Sequence, residues 1–192
     1  VFPNAANAEF RNLTIKGKIQ AASQMTGANG ISGSAAYDIA GFVGKPFGAL
    51  EFYNCTNDAD IIGLRNVAGL VGYNAGGQSI TLEACVNTGD ITSLEGSYTL
   101  GGRGDTYSYD DGWNNQGFGY GTGGIIGAYT GTITIESCRN AGTIIGGHNV
   151  GGIIGRHEGS SSSTATLTIN NCANTGNVTS NSGYWGEDEG GV

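Results

Sequence analysis

The chain is 192 residues long, with 37 Gly, only 2 Pro, 12% charged residues and a formal net charge of −8. Its charge falls well short of the usual quarter or so, yet Ile, Leu and Val recur regularly, which excludes a disordered tract, and Gly without a strict triplet period excludes collagen. An acidic surface repels phosphate backbones and anionic lipid, and no apolar run approaches the roughly 20 residues of a membrane span, so neither nucleic-acid binding nor membrane insertion is expected.

In chain order, the N-terminus reads Val1-Phe2-Pro3-Asn4 with no signal peptide, as a processed chain or an excised fragment would. Residues 1–39 hold one recognisable element, Leu13-Thr14-Ile15-Lys16-Gly17-Lys18-Ile19, which alternates like a half-buried strand. This segment is expected to form a partial coil or cap. From 40 to 192 a repeat takes over. Each unit reads small residue, Gly, two apolar residues, Gly, a variable loop, alternating apolar residues and Cys, then Asn two residues later and an aliphatic residue six later. The first unit runs from Ala40-Gly41-Phe42-Val43-Gly44 through Leu50-Glu51-Phe52 to Cys55, Asn57 and Ile61. The second runs from Ala68-Gly69-Leu70-Val71-Gly72 through Ile80-Thr81-Leu82 to Cys85, Asn87 and Ile91. An insertion over 93–122 separates it from the third, which runs from Gly123-Gly124-Ile125-Ile126-Gly127 through Ile133-Thr134-Ile135 to Cys138, Asn140 and Ile144. The fourth runs from Gly151-Gly152-Ile153-Ile154-Gly155 through Leu167-Thr168-Ile169 to Cys172, Asn174 and Val178. Gly190-Gly191-Val192 reads as the opening of a fifth, so the chain is expected to be a truncated piece of a longer protein.

Each unit offers three short apolar stretches, too short for helices and bounded by Gly. A unit of about 30 residues with three strands and three turns matches one coil of a right-handed parallel β-helix. Same-direction units favour this all-β solenoid over the alternative, an antiparallel roll or sandwich. Stacked coils bring equivalent residues about 4.8 Å apart. The column Asn57, Asn87, Asn140, Asn174 is then expected to form a structural amide ladder at a corner, where Asn also tolerates left-handed backbone. The column Cys55, Cys85, Cys138, Cys172 is expected to be a buried free-thiol ladder, with two disulfides as the alternative. No two Cys have metal-knuckle spacing, and no metal site is expected.

The insertion carries Tyr98, Tyr107, Tyr109, Trp113 and Tyr120 beside Asp110, Asp111, Asn114 and Asn115. Aromatic faces stack on sugar rings while amides and carboxylates bond their hydroxyls. Tyr184 and Trp185, followed by Glu187-Asp188-Glu189, stand after Thr179-Ser180 as the insertion stands after Thr92-Ser93, so both should leave the solenoid at one corner. Tyr107, Tyr109, Asp110, Asp111, Trp113, Tyr184 and Trp185 are the candidate ligand-binding residues. The competing reading has these aromatics folded down over apolar surface. The carboxylates Asp110, Asp111, Glu187, Asp188 and Glu189 offer oxygen ligands for a structural Ca²⁺, but no calcium-loop motif accompanies them, and no cofactor is expected. Arg103-Gly104-Asp105 matches the integrin-binding tripeptide. For an enzyme, the available carboxylate pairs are Asp110 with Asp111 and Glu83 with Glu136; the second pair reads as ordinary outward strand residues. His148 and His157 have no nucleophile at a recognisable spacing, and Ser160 to Ser163 is a polar loop tip. No catalytic residue is expected.

The elements Gly69 to Gly72, Gly124 to Gly127 and Gly152 to Gly155 resemble the GLUG motif, and the likeness extends over about residues 40 to 180. That motif occurs in large surface and adhesin-like proteins of bacteria. The resemblance implies a non-catalytic, extracellular, cell-surface repeat module, with a glycan or a host surface protein as partner and further domains in the same polypeptide. The other readings are a structural spacer or self-assembling fibre segment and a carbohydrate-active β-helix enzyme.

Overall fold

The computed structural model describes residues 2–20, 37–93, 121–147, 149–158, 166–180 and 189–190. Their regular structure is all strand. The chain visits four sheets in fixed order and repeats the tour. The first tour is β1 (Phe2–Ala5), β2 (Ala8–Arg11), β3 (Thr14–Gln20) and β4 (Tyr37–Ala40). The second is β5 (Val43–Pro46), β6 (Leu50–Tyr53), β7 (Thr56–Gly63) and β8 (Arg65–Ala68). The third is β9 (Val71–Asn74), β10 (Ile80–Glu83), β11 (Val86–Asn87) with β12 (Ile91–Ser93), and β13 (Thr122–Gly123). The fourth is β14 (Ile126–Tyr129), β15 (Ile133–Glu136), β16 (Arg139–Asn140) with β17 (Ile144–Gly146), and β18 (Val150–Gly151). The fifth is β19 (Ile154–His157), β20 (Leu167–Asn170), β21 (Ala173–Asn174) with β22 (Val178–Ser180), and β23 (Glu189–Gly190).

The first sheet stacks β1-β5-β9-β14-β19 and the second β2-β6-β10-β15-β20. The third holds β3, β7 and the split pairs, and the fourth stacks β4-β8-β13-β18-β23. Every pairing among the described residues is parallel, which removes the antiparallel roll or sandwich. A tour has four strand positions where the sequence suggests three, because the fourth-sheet strands are as short as Thr122–Gly123 and carry no apolar alternation of their own. The segment 2–20 and 37–40 supplies one strand to each sheet.

Registers are strict. Leu50, Ile80, Ile133 and Leu167 form one column of the second sheet, and Phe52, Leu82, Ile135 and Ile169 form the next inward one. No single tour encloses these side chains; stacking removes Leu50, Ile80, Leu82, Ile133 and Ile135 almost wholly from water, at roughly 2 kcal/mol for each large aliphatic side chain.

Among the described residues the interior holds two apolar clusters. The larger gathers the first and second sheets and the Cys column; the smaller holds Ile61, Val67, Ile91, Ile144 and Val150. The Asn column runs between them. Along the third sheet, Asn57 falls between Cys55 of one cluster and Ile61 of the other, and on the facing wall Gly69 falls between Val67 and Leu70. Asn57 Nδ2 donates to Asn87 Oδ1, Asn87 Nδ2 to Asn140 Oδ1, and Asn140 Nδ2 to Asn174 Oδ1, each at 2.7 Å. Each amide nitrogen also donates to the carbonyl two residues on, that of Ala59, Gly89, Gly142 or Gly176, at 2.8–3.0 Å. These second bonds fix which way every amide points.

The first Gly of the Gly-x-x-Gly element makes room for that seam. A Cβ on Gly41 would lie 2.3 Å from Asn57 Oδ1, and one on Gly124 would lie 2.5 Å from Asn140 Cγ and 2.2 Å from the Gly152 carbonyl oxygen. The Gly column and the Asn column are thus two sides of one contact. Left-handed backbone, which the sequence reading associates with the ladder asparagines, does not fall on them. It falls on the residue before each Cys, at Asn54, Ala84, Ser137 and Asn171, and on Asn12 in the first tour, with φ of 52 to 54°. That residue turns the chain between the second and third sheets and leaves the ladder Asn in ordinary strand geometry.

All four cysteines are free thiols; Cys55, Cys85 and Cys138 are buried and Cys172 is half-buried. Their Sγ–H groups hydrogen-bond to strand carbonyls, Cys55 to Phe10 O at 3.4 Å and Cys138 to Leu82 O at 3.6 Å. Burial pushes the Cys55 thiol up, and contact with Cys85 followed by burial does the same at Cys138, while that same contact with Cys138 moves Cys85 down.

Candidate functional site

One edge of the stack, where the third sheet passes to the fourth, departs from the repeat. The third-sheet strands end at Gln20, Gly63, Ser93, Gly146 and Ser180, and the fourth-sheet strands begin at Tyr37, Arg65, Thr122, Val150 and Glu189. Long connections therefore leave the first, third and fifth tours, while the second closes through Leu64 alone and the fourth through residues 147–149. With tours about 4.8 Å apart, the long connections are rooted at every second step, roughly 10 Å apart. A serine marks two of the roots: Ser93 Oγ donates to Leu64 O at 2.8 Å, and Ser180 Oγ donates to Gly147 O at 2.9 Å. Each ties the start of a long connection to the short one a tour earlier.

The sequence candidates Tyr107, Tyr109, Asp110, Asp111 and Trp113, with Arg103-Gly104-Asp105, belong to the connection that starts after Ser93; Tyr184 and Trp185 belong to the one after Ser180. All of them lie outside the described residues. What is fixed is the position of their roots, at the same end of one sheet, two tours apart and joined in register through Thr92, Ile145 and Thr179.

Beside this edge, side chains of the first and fourth sheets form a polar cluster that the sequence reading missed. Tyr73, Ala128 and Arg156 share a column of the first sheet. Tyr73 Oη donates to Glu158 Oε2, and Arg156 Nη1 stands 3.9 Å from Glu158 Oε1, so this clasp crosses the small Ala128. Arg156 Nη1 is buried without a hydrogen-bond acceptor. Lys45 Nζ lies 5.7 Å from the centre of the Tyr73 ring. On the fourth sheet, Asp38 Oδ1 accepts from Asn66 Nδ2 at 2.7 Å, and Asn66 Oδ1 accepts from the Gly121 backbone N–H at 3.2 Å, immediately after the long connection. Burial raises the Asp38 carboxyl above its ordinary value, against the Asn66 hydrogen bond and the Lys45 charge. Burial, then the bond to Glu158, pushes the Tyr73 phenol well up. Two cations offset two carboxylates here, and the phenol stays protonated with its O–H given to Glu158. The cluster can bond hydroxyls at its margin, but it presents no activated nucleophile.

The signal for this cluster is the residue after the second Gly of each Gly-x-x-Gly element: Lys45, Tyr73, Ala128 and Arg156 change in character from unit to unit, where the core positions stay apolar. Glu83 and Glu136 are neighbours in register on the second sheet. Glu83 is exposed, and Glu136 accepts from Asn171 Nδ2 at 2.8 Å. His157 packs on the Tyr129 ring at 4.8 Å. Among the described residues no group of three His, Cys, Asp or Glu is arranged to hold a metal ion. The chain matches no protein-family model, no curated protein and no solved structure.

Proposed function

We propose that this chain is a right-handed parallel β-solenoid of about 30 residues per coil, serving as a non-catalytic module of a bacterial cell-surface adhesin or stalk. In this reading it holds a glycan or a host surface protein through the aromatic connections after Ser93 and Ser180. The observation that supports it is the common root of those connections: aromatic- and acid-rich segments leave one edge of a stiff, in-register stack at two-tour intervals. Loops displayed from a rigid scaffold are where binding residues concentrate. The resemblance of the Gly-x-x-Gly elements to the GLUG motif points the same way. A glycan array probed with the wild type and with Y107A/Y109A/W113A tests it. Binding lost in the variant, with unchanged circular dichroism, supports a lectin-like module; no binding by either form removes the glycan reading.

A second reading, a structural spacer, draws on the clasp of Tyr73, Glu158 and Arg156. Tyr73 and Glu158 spend their polar atoms on one another, with the Arg156 charge beside them, as a surface that only has to stay folded does.

A further inference from the structure

The polar cluster between the first and fourth sheets closes on itself around Ala128. In register Ala128 stands between Tyr73 and Arg156, and it is wholly buried. A methyl group thus lies where the neighbouring tours carry a phenol and a guanidinium, and the Glu158 carboxylate spans the gap. It takes the Tyr73 O–H on Oε2 and faces Arg156 Nη1 from Oε1. On the other side the stem of Arg156 lies against Gly121, where a Cβ would come within 2.9 Å of Arg156 Cβ. Gly121 in turn gives its N–H to Asn66, and Asn66 gives an amide proton to Asp38.

Glu158 fills this gap imperfectly. Arg156 Nη1 is buried with no hydrogen-bond acceptor, and Glu158 Oε1, at 3.9 Å, is beyond hydrogen-bond reach. A buried donor left unmet carries its full desolvation penalty, and a guanidinium pairs best with a carboxylate that takes two of its N–H groups side by side. With Oε2 given to Tyr73, Glu158 does not reach that position. The Arg156 and Glu158 side chains are each 22% exposed, so the carboxylate stands at the margin and can leave for water. Among the described residues, Lys45 Nζ and Asp38 Oδ2 beside it have no hydrogen-bond partner. They offer one donor and one acceptor, which is what a hydroxyl group uses. Exchanging Glu158 for another carboxylate leaves the balance of charges in the cluster unchanged.

We infer that Tyr73, Arg156 and Lys45, with Ala128 between them, form a binding site for the carboxylate of an acidic sugar, and that Glu158 is its resident occupant. The ligand carboxylate displaces the Glu158 side chain, takes the Tyr73 O–H and supplies Arg156 Nη1 with the acceptor it lacks. The sugar hydroxyls then meet Asp38 and Lys45. This site lies on the walls of the stack and not on the aromatic connections, so it stands or falls apart from the binding reading given above.

The test is an NMR titration with glucuronate, glucose and acetate, read on the backbone amides. E158A, with the resident carboxylate gone, should bind glucuronate at least about tenfold more tightly than the wild type, with shifts centred on Gly121 and Ala128. R156Q/E158A and A128L/E158A should lose that gain, the first through the missing guanidinium and the second through a filled gap. Glucose and acetate should each bind E158A at least about tenfold more weakly than glucuronate. Y107A/Y109A/W113A should bind glucuronate as the wild type does. If E158A is poorly folded by circular dichroism, E158Q carries the same comparison, because it removes the charge that pairs with Arg156. E158A and E158Q binding glucuronate no better than the wild type overturns the inference, as does R156Q/E158A binding as tightly as E158A. Acetate matching glucuronate overturns the assignment to a sugar, and loss of binding in Y107A/Y109A/W113A overturns the placement of the site.

Discussion

Asn87 gives one Nδ2 proton to Asn140 Oδ1 at 2.7 Å and the other to Gly89 O at 2.8 Å. It also accepts from Asn57 Nδ2 at 2.7 Å, so one fully buried side chain joins three successive tours. Replacing it with Ala strands a donor on Asn57 and an acceptor on Asn140 inside the protein, at about 2–4 kcal/mol for the two together. N174A removes one such link at a half-buried position and should cost about 1 kcal/mol. Urea titration of both variants decides it; equal losses would mean that the seam carries no special weight.

Gly124 and Gly77 separate steric from conformational causes. A methyl group at 124 meets the Gly152 carbonyl oxygen at 2.2 Å, whereas one at 77, where φ is +67°, meets nothing within 4 Å. G124A should therefore cost about 3 kcal/mol or more through forced backbone displacement. G77A should cost about 1 kcal/mol through left-handed strain alone. Thermal melts that rank them the other way would overturn this account of the Gly-x-x-Gly element.

Ala84 sits at φ 52° in the column where Asn12, Asn54 and Asn171 have the side chain suited to it. Asn54 Nδ2 already donates to Asn12 Oδ1 at 2.8 Å. A84N should stabilise by about 0.5–1 kcal/mol, by relieving the strain and extending that surface row toward the next tour. A lowered or unchanged melting temperature is the contrary result.

The Asp38 carboxyl is raised by burial, with the Asn66 hydrogen bond and the Lys45 charge opposing. A carboxyl raised in the folded state favours folding fully only below its unfolded value of about 3.9, and that contribution is lost as pH rises through the folded value. D38N keeps an acceptor for Asn66 and removes the buried charge. Its stability relative to the wild type should therefore be greatest near neutral pH and shrink as the solution is acidified. Denaturation midpoints that differ by the same amount at every pH would exclude burial of the charge as the cause.

Of the four free thiols, only Cys172 is half-buried. In the native protein a thiol-specific reagent should titrate one cysteine rapidly and the remaining three only on unfolding. Rapid reaction of all four would show that the core opens far more readily than its burial implies.

The repeat was legible because its determinants are local. Gly-x-x-Gly, the alternating pair around Thr81 or Thr134, and Cys-x-Asn each recur at one position per unit, and parallel stacking turns such recurrence into the observed columns. The first tour was hard to read because Leu13 and Ile15 stand at the Cys and Asn positions, and backbone pairing keeps the register without them. The fourth sheet was hidden for a related reason: strands such as Val150–Gly151 are defined by the strands above and below, not by any pattern of their own. The candidate ligand residues came from composition alone, whereas the cluster of Asp38, Lys45, Tyr73, Arg156 and Glu158 draws on residues from 38 to 158 that only the closing of sheet upon sheet brings together.

By itself, the sequence determined the recurring positions and the two ladders, because a side chain that must match its own copy in the next tour is written once per repeat. Only the tertiary structure decided which wall each ladder faces, that the seam requires Gly41, Gly69, Gly124 and Gly152 opposite it, and that Asn57 ends in an unpaired oxygen beneath Ile15. Those are contacts between residues that differ, in tours that differ, and no periodicity along one chain records them.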